Sequence, residues 1–528
     1  MDNYLWYKDA VFYEISVRAF KYSNNDGQGD LRGLAEQLDY LQQLGVNCIW
    51  LMPIYPSPLK DDGYDIADYY NVAQAYGTLD DLKAVMEAAH ARGIRVIIDL
   101  VMNHTSDEHP WFKAARADRH SPYHDYYVWS DTDQKYKDTR IIFVDTESSN
   151  WTWNEIAGQY YWHRFYASQP DLNFDNPIVR QEMIQIARFW LELGIDGFRA
   201  DAVPYLFERE GTSCENLPET HAYLKELRRF IDENYPGRIL LCEANQWPED
   251  VRPYFGDGDE FQMGFHFPIM PRIYMALKKG QVTDLLEMSN RTPAIPENCQ
   301  WCIFLRNHDE LTLEMVTPAE RDWMWEQYAP EPRMRLNQGI RRRLAPLLDN
   351  DRRKIELTYS LLFTLPGSPI IYYGDEIGMG DNIWLDDRNG VRTPMQWDAT
   401  PQAGFTKTVP FAPFPEGKSS PKFINVAAQV DDPGSLFHAI RRQIAARKQY
   451  AVFGRGSFDW VDAGTNAVAA YSRIYKNEPM LILNNLSDQK QTVYLPYAEA
   501  TNIISHETIR LESLTLQPFQ YLWLLIKK

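Results

Sequence analysis

The sequence predicts an α/β protein: a closed (β/α)8 barrel of the TIM type, with a small domain inserted after the third strand and an antiparallel β-sandwich at the C-terminal end. Three observations carry this. Eight short apolar runs alternate with amphipathic helical stretches between Ala10 and about Gly378. The gap between the third and fourth runs is far longer than one helix needs. From about Gly454 the pattern changes to short strand-like runs separated by turns. Runs that are apolar on both faces belong to a parallel sheet covered by helices, and strict strand–helix alternation closes such a sheet into a barrel.

In order, the predicted barrel strands are Val11–Phe20, Cys48–Ile54, Ile94–Met102, Ile195–Ala202, Ile239–Ala244, Phe261–Phe267, Trp301–Arg306 and Pro369–Tyr373. Between the first two, Leu34, Leu38, Leu41 and Leu44 recur at helical spacing. Before the third, Thr78 with Asp81 three residues on has the outline of a capping box. The insert is rich in Trp, Tyr, Asp and His and lacks a clean period. Val468–Tyr471, Met480–Leu483, Gln491–Leu495 and Tyr521–Leu525 read as short antiparallel strands. The domain expectation is therefore barrel over 1–104 and 177–450, insert over 105–176 and terminal sandwich over 451–528. A chain of 528 residues needs such a division, since single cores stop growing near about 250–300 residues.

Bulk composition narrows the function. A net charge of −19 would repel a nucleic-acid duplex, so no nucleic acid is expected as partner. The longest apolar candidate, 361–373, is broken by Pro366, Gly367 and Pro369, so no membrane span is expected. Residues 1–10 lack a basic stretch followed by an apolar core, which predicts a cytoplasmic protein. The five cysteines are an odd, scattered set, and Cys299 and Cys302 read as buried core thiols leading into a strand.

Active sites of such barrels sit at the C-terminal strand ends. The third strand ends Asp99-Leu-Val-Met-Asn103-His104, the fourth Phe198-Arg199-Ala-Asp201, the fifth Leu241-Cys-Glu243-Ala-Asn245 and the seventh Arg306-Asn307-His308-Asp309-Glu310. A single carboxylate there would be explained by a structural arginine. Four acidic ends converging on one face are not, because packed like charges are destabilising and raise the pKa of one member. Glycoside cleavage needs that split, one carboxylate ionised and one protonated.

These strand ends resemble the four signature regions of the α-amylase family, glycoside hydrolase family 13, and Gln169-Pro-Asp171-Leu-Asn173 resembles its fifth. The resemblance implies an enzyme that breaks and remakes α-glucosidic bonds through a covalent intermediate. Trp6–Tyr13, Asp61–Asp68, Asp201–Leu206, Glu215–His221, Glu243–Asp250, Gly339–Pro346 and Arg392–Trp397 are similar to the trehalose synthase subgroup, intramolecular transferases that interconvert maltose and trehalose with side release of glucose. Oligo-1,6-glucosidases share the Arg392–Trp397 motif. A hydrolytic α-glucosidase, or a glucosyltransferase acting on sucrose or short α-glucans, therefore stays open as the alternative.

Residue by residue, the resemblance implies Asp201 as nucleophile, Glu243 as general acid and then base, and Asp309 as stabiliser of the transition state. Arg199 is to hold Asp201 ionised. His104 and His308 are to donate hydrogen bonds to the sugar, Tyr64 to offer it an aromatic face, and Asp65 with Arg392 to form the ion pair closing the far end of the pocket. The insert and residues 310–350 are candidate walls. A structural calcium is implied at Asn103, Asp171 and Glu208 with the backbone oxygens of Tyr205 and Leu206. A second is implied in the loop Asn24, Asp26, Gln28 and Asp30, where Tyr22 stands in place of the family's first aspartate ligand. No organic cofactor is expected. The expected partners are maltose, trehalose and glucose; homo-oligomerisation and association with a maltokinase are left open by the sequence.

Overall fold

The computed structural model describes residues 2–24 and 26–526. Eight parallel strands close into a barrel: β1 Phe12–Ile15, β2 Cys48–Leu51, β3 Arg95–Val101, β4 Gly197–Asp201, β5 Ile239–Cys242, β6 Met263–Phe265, β7 Gln300–Phe304 and β8 Ser368–Tyr372. Each pairs with its neighbour in sequence, and β1 pairs with β8 through Phe12 opposite Ile370. Nearly every strand residue is buried, as expected of a sheet packed on both faces.

The helices form where the local chemistry starts and stops them. Thr78 and Asp81 make the full capping box of Leu79–Ala91, whose Leu82, Val85, Met86 and Ala89 face the barrel. Asn176 caps Pro177–Leu193, which ends at Gly194 in the left-handed conformation. The leucine stripe at 34–44 spans two helices, Leu31–Glu36 and Leu38–Leu44, which meet at Gln37.

Two expectations are corrected. The first strand does not run to Phe20. It stops at Ile15, and Val17–Phe20 is a helical turn, because the barrel is only four residues deep at that strand and the chain must leave it. In the C-terminal region, strands at Glu499–Asn502, Thr508–Arg510 and Leu514–Leu516 join those expected. They build a six-stranded antiparallel sheet and a two-stranded one. Alternation places the large sheet's two faces. Ala469, Tyr471, Ile482 and Trp523 join the main core, and Trp523 Nε1 donates to Ser360 on the barrel helix Arg352–Thr364 at 2.8 Å. Val468, Ala470, Leu481, Leu483, Leu522 and Leu524 pack instead with Val493 and Leu516 of the small sheet.

Between β3 and β4 lie a helix, Pro110–Ala117, and a three-stranded sheet of Trp129–Ser130, Gln159–Trp162 and Trp151–Asn154. A single bridge from His104 to Asp171 ties this segment to the chain just after β3, and another from Tyr127 to Leu172 joins two of its own stretches. Among the described residues no helix is long and apolar enough to cross a membrane. All five cysteines are buried and free.

Candidate active site

Parallel strands deliver their C-terminal ends to one face of the barrel. Asp201 is the last residue of β4, Glu243 follows β5, and Asn307-His308-Asp309 follow β7. All three carboxylates line one cavity, together with Tyr64, His104 and His308. The insert contributes Ile142, Phe143 and Phe165 to its wall, and the chain after β7 contributes Glu310, Thr312 and Glu314. After Asp201 the chain turns sharply, with Ala202 left-handed at φ 49°. Such strain persists only where surrounding structure enforces it. Here it aims the Ala202 N–H at Glu243 Oε2, 3.2 Å away.

Arg199 is the electrostatic hub. It is fully buried, and its Nη1 lies 2.5 Å from Asp201 and 2.6 Å from Asp99, while Nη2 pairs with Glu243. Asp99 also accepts from Trp50 Nε1 at 2.7 Å. Burial pushes Asp201 up to about 6, opposed by the guanidinium. Burial pushes Glu243 further, to about 8, with the charge of Asp201 adding to the rise. At neutral pH the pair thus holds one ionised and one protonated carboxyl, the division that retaining glycoside chemistry requires.

Asp309 is treated in the opposite way. Its Oδ1 receives Arg388 at 2.7 Å and Arg392 at 3.0 Å, and His308 Nε2 lies 3.3 Å from Oδ2. Buried against His308 and these arginines, it is held well below the usual carboxylate range. The Tyr64 ring stacks on His308, centroids 5.1 Å apart. His104 lines the cavity, but its Nε2 bonds the carbonyl of Tyr64 at 3.1 Å, so the donor expected to reach a sugar is engaged by the backbone. Burial pushes this histidine down to about 4, leaving it neutral.

The expected closing pair of Asp65 and Arg392 is corrected. Asp65 accepts the Ser57 hydroxyl at 2.8 Å and the Lys60 and Asp61 amides at 2.9 and 3.0 Å, so it folds its own loop. Asp62 at φ 47° and Gly63 at φ 106° reverse the chain between it and the arginines. Arg392 instead reaches Asp62 at 3.4 Å and the His308 carbonyl at 2.8 Å. Arg388, not singled out from the sequence, clamps Asp61 at 2.5 Å as well as Asp309. The signal was present in Asp61-Asp62 and in the two arginines four residues apart, but sequence alone does not say which acid meets which base.

The two expected cation sites differ in structure. In the loop, Asp30 caps Leu31–Glu36 and accepts Ser23 N at 2.7 Å and Gly33 N at 2.8 Å. Asn24 Oδ1 and Asp26 Oδ1 accept the Asp26 and Gln28 amides, and Asn25 lies outside the described residues. Nothing there leaves a buried oxygen unpartnered among the described residues. At the other site, Asn103 Oδ1, Asp171 Oδ2 and Glu208 Oε1 are all buried without a partner. Burial pushes Asp171 up to about 8, opposed by Arg164, and pushes Glu208 well above its usual range, with the charge of Asp171 adding to the rise. Tyr205 and Leu206 close the turn just before Glu208. Buried orphan oxygens are rare, and this set has the oxygen chemistry of a hard divalent cation.

A barrel whose strand ends bring a protonated Glu243, an ionised Asp201 and a clamped Asp309 into one cavity defines a retaining enzyme acting on glycosidic bonds. Comparison with known proteins agrees. The family "Alpha amylase, catalytic domain" matches residues 14–328 and 335–456, and "Alpha-amylase SusG C-terminal domain" matches 468–520. The chain belongs to the α-amylase family, and within it to the trehalose synthases. It is 56% identical over 508 residues to Trehalose synthase/amylase TreS of Mycobacterium tuberculosis (strain ATCC 25618 / H37Rv), covering 94% of this chain and 84% of that one. It is 53% identical to the Thermus thermophilus trehalose synthase, with 98% of this chain covering 53% of that longer relative. The trehalulose synthase MutB from Pseudomonas mesoacidophila MX-45 superposes with a TM-score of 0.82 at 29% identity, over 99% of both chains. A MutB variant solved with sucrose, described there as the substrate, gives 0.83 at 30% identity, over 99% of both chains.

Proposed function

We propose that the enzyme interconverts maltose and trehalose by moving a glucosyl unit between two hydroxyls of a glucose that stays in the pocket. One observation carries this: the cavity holding Asp201 and Glu243 is walled by the insert on one side and by the chain after β7 on the other. Asp201 attacks the anomeric carbon of maltose while Glu243 gives its proton to the departing 4-oxygen. This leaves a glucosyl ester on Asp201, free glucose and an ionised Glu243. The glucose turns over and presents its anomeric hydroxyl. Glu243 takes that proton as the oxygen attacks the anomeric carbon of the ester, breaking its bond to the Asp201 oxygen, which forms trehalose and frees Asp201 as the carboxylate. Two inversions retain the configuration. Asp309, anchored by Arg388 and Arg392, supplies fixed negative charge beside the developing oxocarbenium ion. Water entering at the ester stage gives two glucoses instead.

The test is incubation with maltose and identification of the disaccharide formed, beside an Asp201→Asn variant. Trehalose from the wild type, with a loss of at least about 10³-fold in a folded Asp201→Asn, is the expected outcome. Only glucose from the wild type would establish the hydrolytic α-glucosidase.

We also propose a structural calcium at Asn103, Asp171 and Glu208, completed by the backbone oxygens of Tyr205 and Leu206, in preference to the 24–30 loop. The support is the three orphaned oxygens. The ion would brace the insert against β3 and β4. Chelation is therefore expected to lower the melting temperature while the initial rate of still-folded protein stays near its starting value; a lost rate at unchanged melting temperature would contradict the bracing role. Five reduced, buried cysteines support placement in the cytoplasm.

A further inference from the structure

Glu14, on β1, has no part in the chemistry above, yet it is wholly buried beneath the site. Its Oε1 lies 2.5 Å from Nδ1 of His308 and 3.3 Å from the His308 backbone N–H, while Oε2 has no partner. On the other side of the ring, Nε2 faces Asp309 Oδ2 at 3.3 Å. Trp50 from β2 packs edge-on at 5.7 Å and Tyr64 stacks at 5.1 Å, so the ring is held in plane.

The ring lies between two carboxyls, and the contacts restrict where the protons sit: an imidazolium would serve both as a donor, whereas a neutral ring needs a protonated Glu14. A neutral imidazole carries one N–H, and its other nitrogen is a bare acceptor. Were that N–H on Nδ1, the bare Nε2 would face the carboxylate of Asp309, acceptor against acceptor. Nε2 must therefore carry the proton. The short Nδ1 contact then needs a second proton, and Glu14 is the group placed to supply it. We propose that Glu14 is a positioning residue that binds Nδ1 of His308 and thereby fixes the ring as an Nε2–H donor aimed at Asp309 and the bound sugar. The proposal rests on the function given above for the site.

The surroundings favour the neutral acid at Glu14. Asp99 from β3 and Asp309 from the segment after β7 are the acids that raise it, and Arg199 from β4, shared by Asp99, Asp201 and Glu243, is the cation that opposes them. Tyr372 on β8 lies opposite Glu14 in register and adds no cation. Arg388 and Arg392 face the Asp309 side of the ring. Among the described residues, His308 is the one basic side chain paired with Glu14. Burial pushes Glu14 well above the usual carboxylate range and His308 well below its own. The hydrogen bond made by one ring nitrogen sets the state of the other.

Two variants and one spectroscopic measurement test this. Glu14→Leu keeps the bulk but offers Nδ1 no donor. Glu14→Gln offers an amide N–H in place of the carboxylic O–H. With α-glucosyl fluoride, a substrate for this chemistry whichever disaccharide is natural, Glu14→Leu should lose about 10²-fold or more in kcat, the scale of a wrong tautomer, with KM moving far less. Glu14→Gln should recover at least tenfold of that loss, and thermal melts should show both variants folded. Independently of turnover, 15N NMR of histidine-labelled resting enzyme should show His308 with Nδ1 bare and Nε2 protonated, the signal being assigned by its absence in His308→Gln. A protonated Nδ1, a Glu14→Leu as active as wild type, or a folded Glu14→Gln no better than Glu14→Leu would each overturn the proposal. If Glu14→Leu does not fold, the NMR state in wild type and Glu14→Gln decides alone. Absence of trehalose from maltose would overturn the isomerase reading and leave the NMR result standing.

Discussion

The division of labour between Asp201 and Glu243 comes from two small differences in placement. Both are buried and both touch Arg199, but Asp201 shares its contact with Asp99, while Glu243 lies against the negative charge of Asp201. The order of ionisation follows, with Asp201 near 6 and Glu243 near 8. On maltose, kcat/KM should therefore rise through the first value and fall through the second, since cleavage needs Asp201 charged and Glu243 protonated. Fluoride leaves without a proton. Glu243→Gln should be inactive on maltose but should cleave α-glucosyl fluoride with the acid limb alone, and azide should rescue the second step by replacing the activated acceptor. Equal losses on both substrates with no azide effect would remove Glu243 from this role. Asp201, Glu243 and Asp309 were legible in the sequence because each lies at the end of an apolar strand, and several acids converging there are not explained by one structural arginine. Glu14 was not singled out, because it lies within a strand and its partner comes from another; Asp99 was read only as the acid of the third strand end, without its pairing to Trp50 and Arg199.

At the scale of elements, the barrel strands and the capping box at Thr78 could be read because burial and capping leave local patterns. The short strands at Thr508–Arg510 and Leu514–Leu516 could not, being three residues long with polar, exposed members. The loops holding the site were the least legible, since Asp61, Asp62 and Asp65 are equivalent in sequence until the turn at Asp62-Gly63 separates them. The finding that Arg388, not an Asp65–Arg392 pair, clamps the pocket has a direct consequence. Arg388→Lys keeps the charge but not the fork that holds Asp61 and Asp309 together. The ratio of glucose to trehalose formed should rise by about tenfold, corresponding to ~1.4 kcal/mol of lost discrimination against water. An unchanged ratio in the folded variant would mean that this clamp does not help exclude water.

For the whole molecule, the rigid barrel supplies the reactive groups, while the insert and the chain after β7 supply the enclosure. Phe143 and Phe165 from the insert line the cavity together with Thr312 and Glu314, and Asp145 of the insert accepts the Asn337 amide at 2.6 Å. The barrel and sandwich follow from patterns repeated along the chain. The enclosure depends on contacts between segments about 190 residues apart, which no local pattern encodes. If it retains the leaving glucose, that glucose meets the ester at an effective concentration of up to about 10⁵ M or more, which dissolved sugar cannot match. The most direct test is to incubate maltose with isotopically labelled free glucose and measure label in the trehalose formed. Trehalose carrying almost no label is the predicted result, and label approaching the level of the free glucose pool would contradict transfer within a closed pocket.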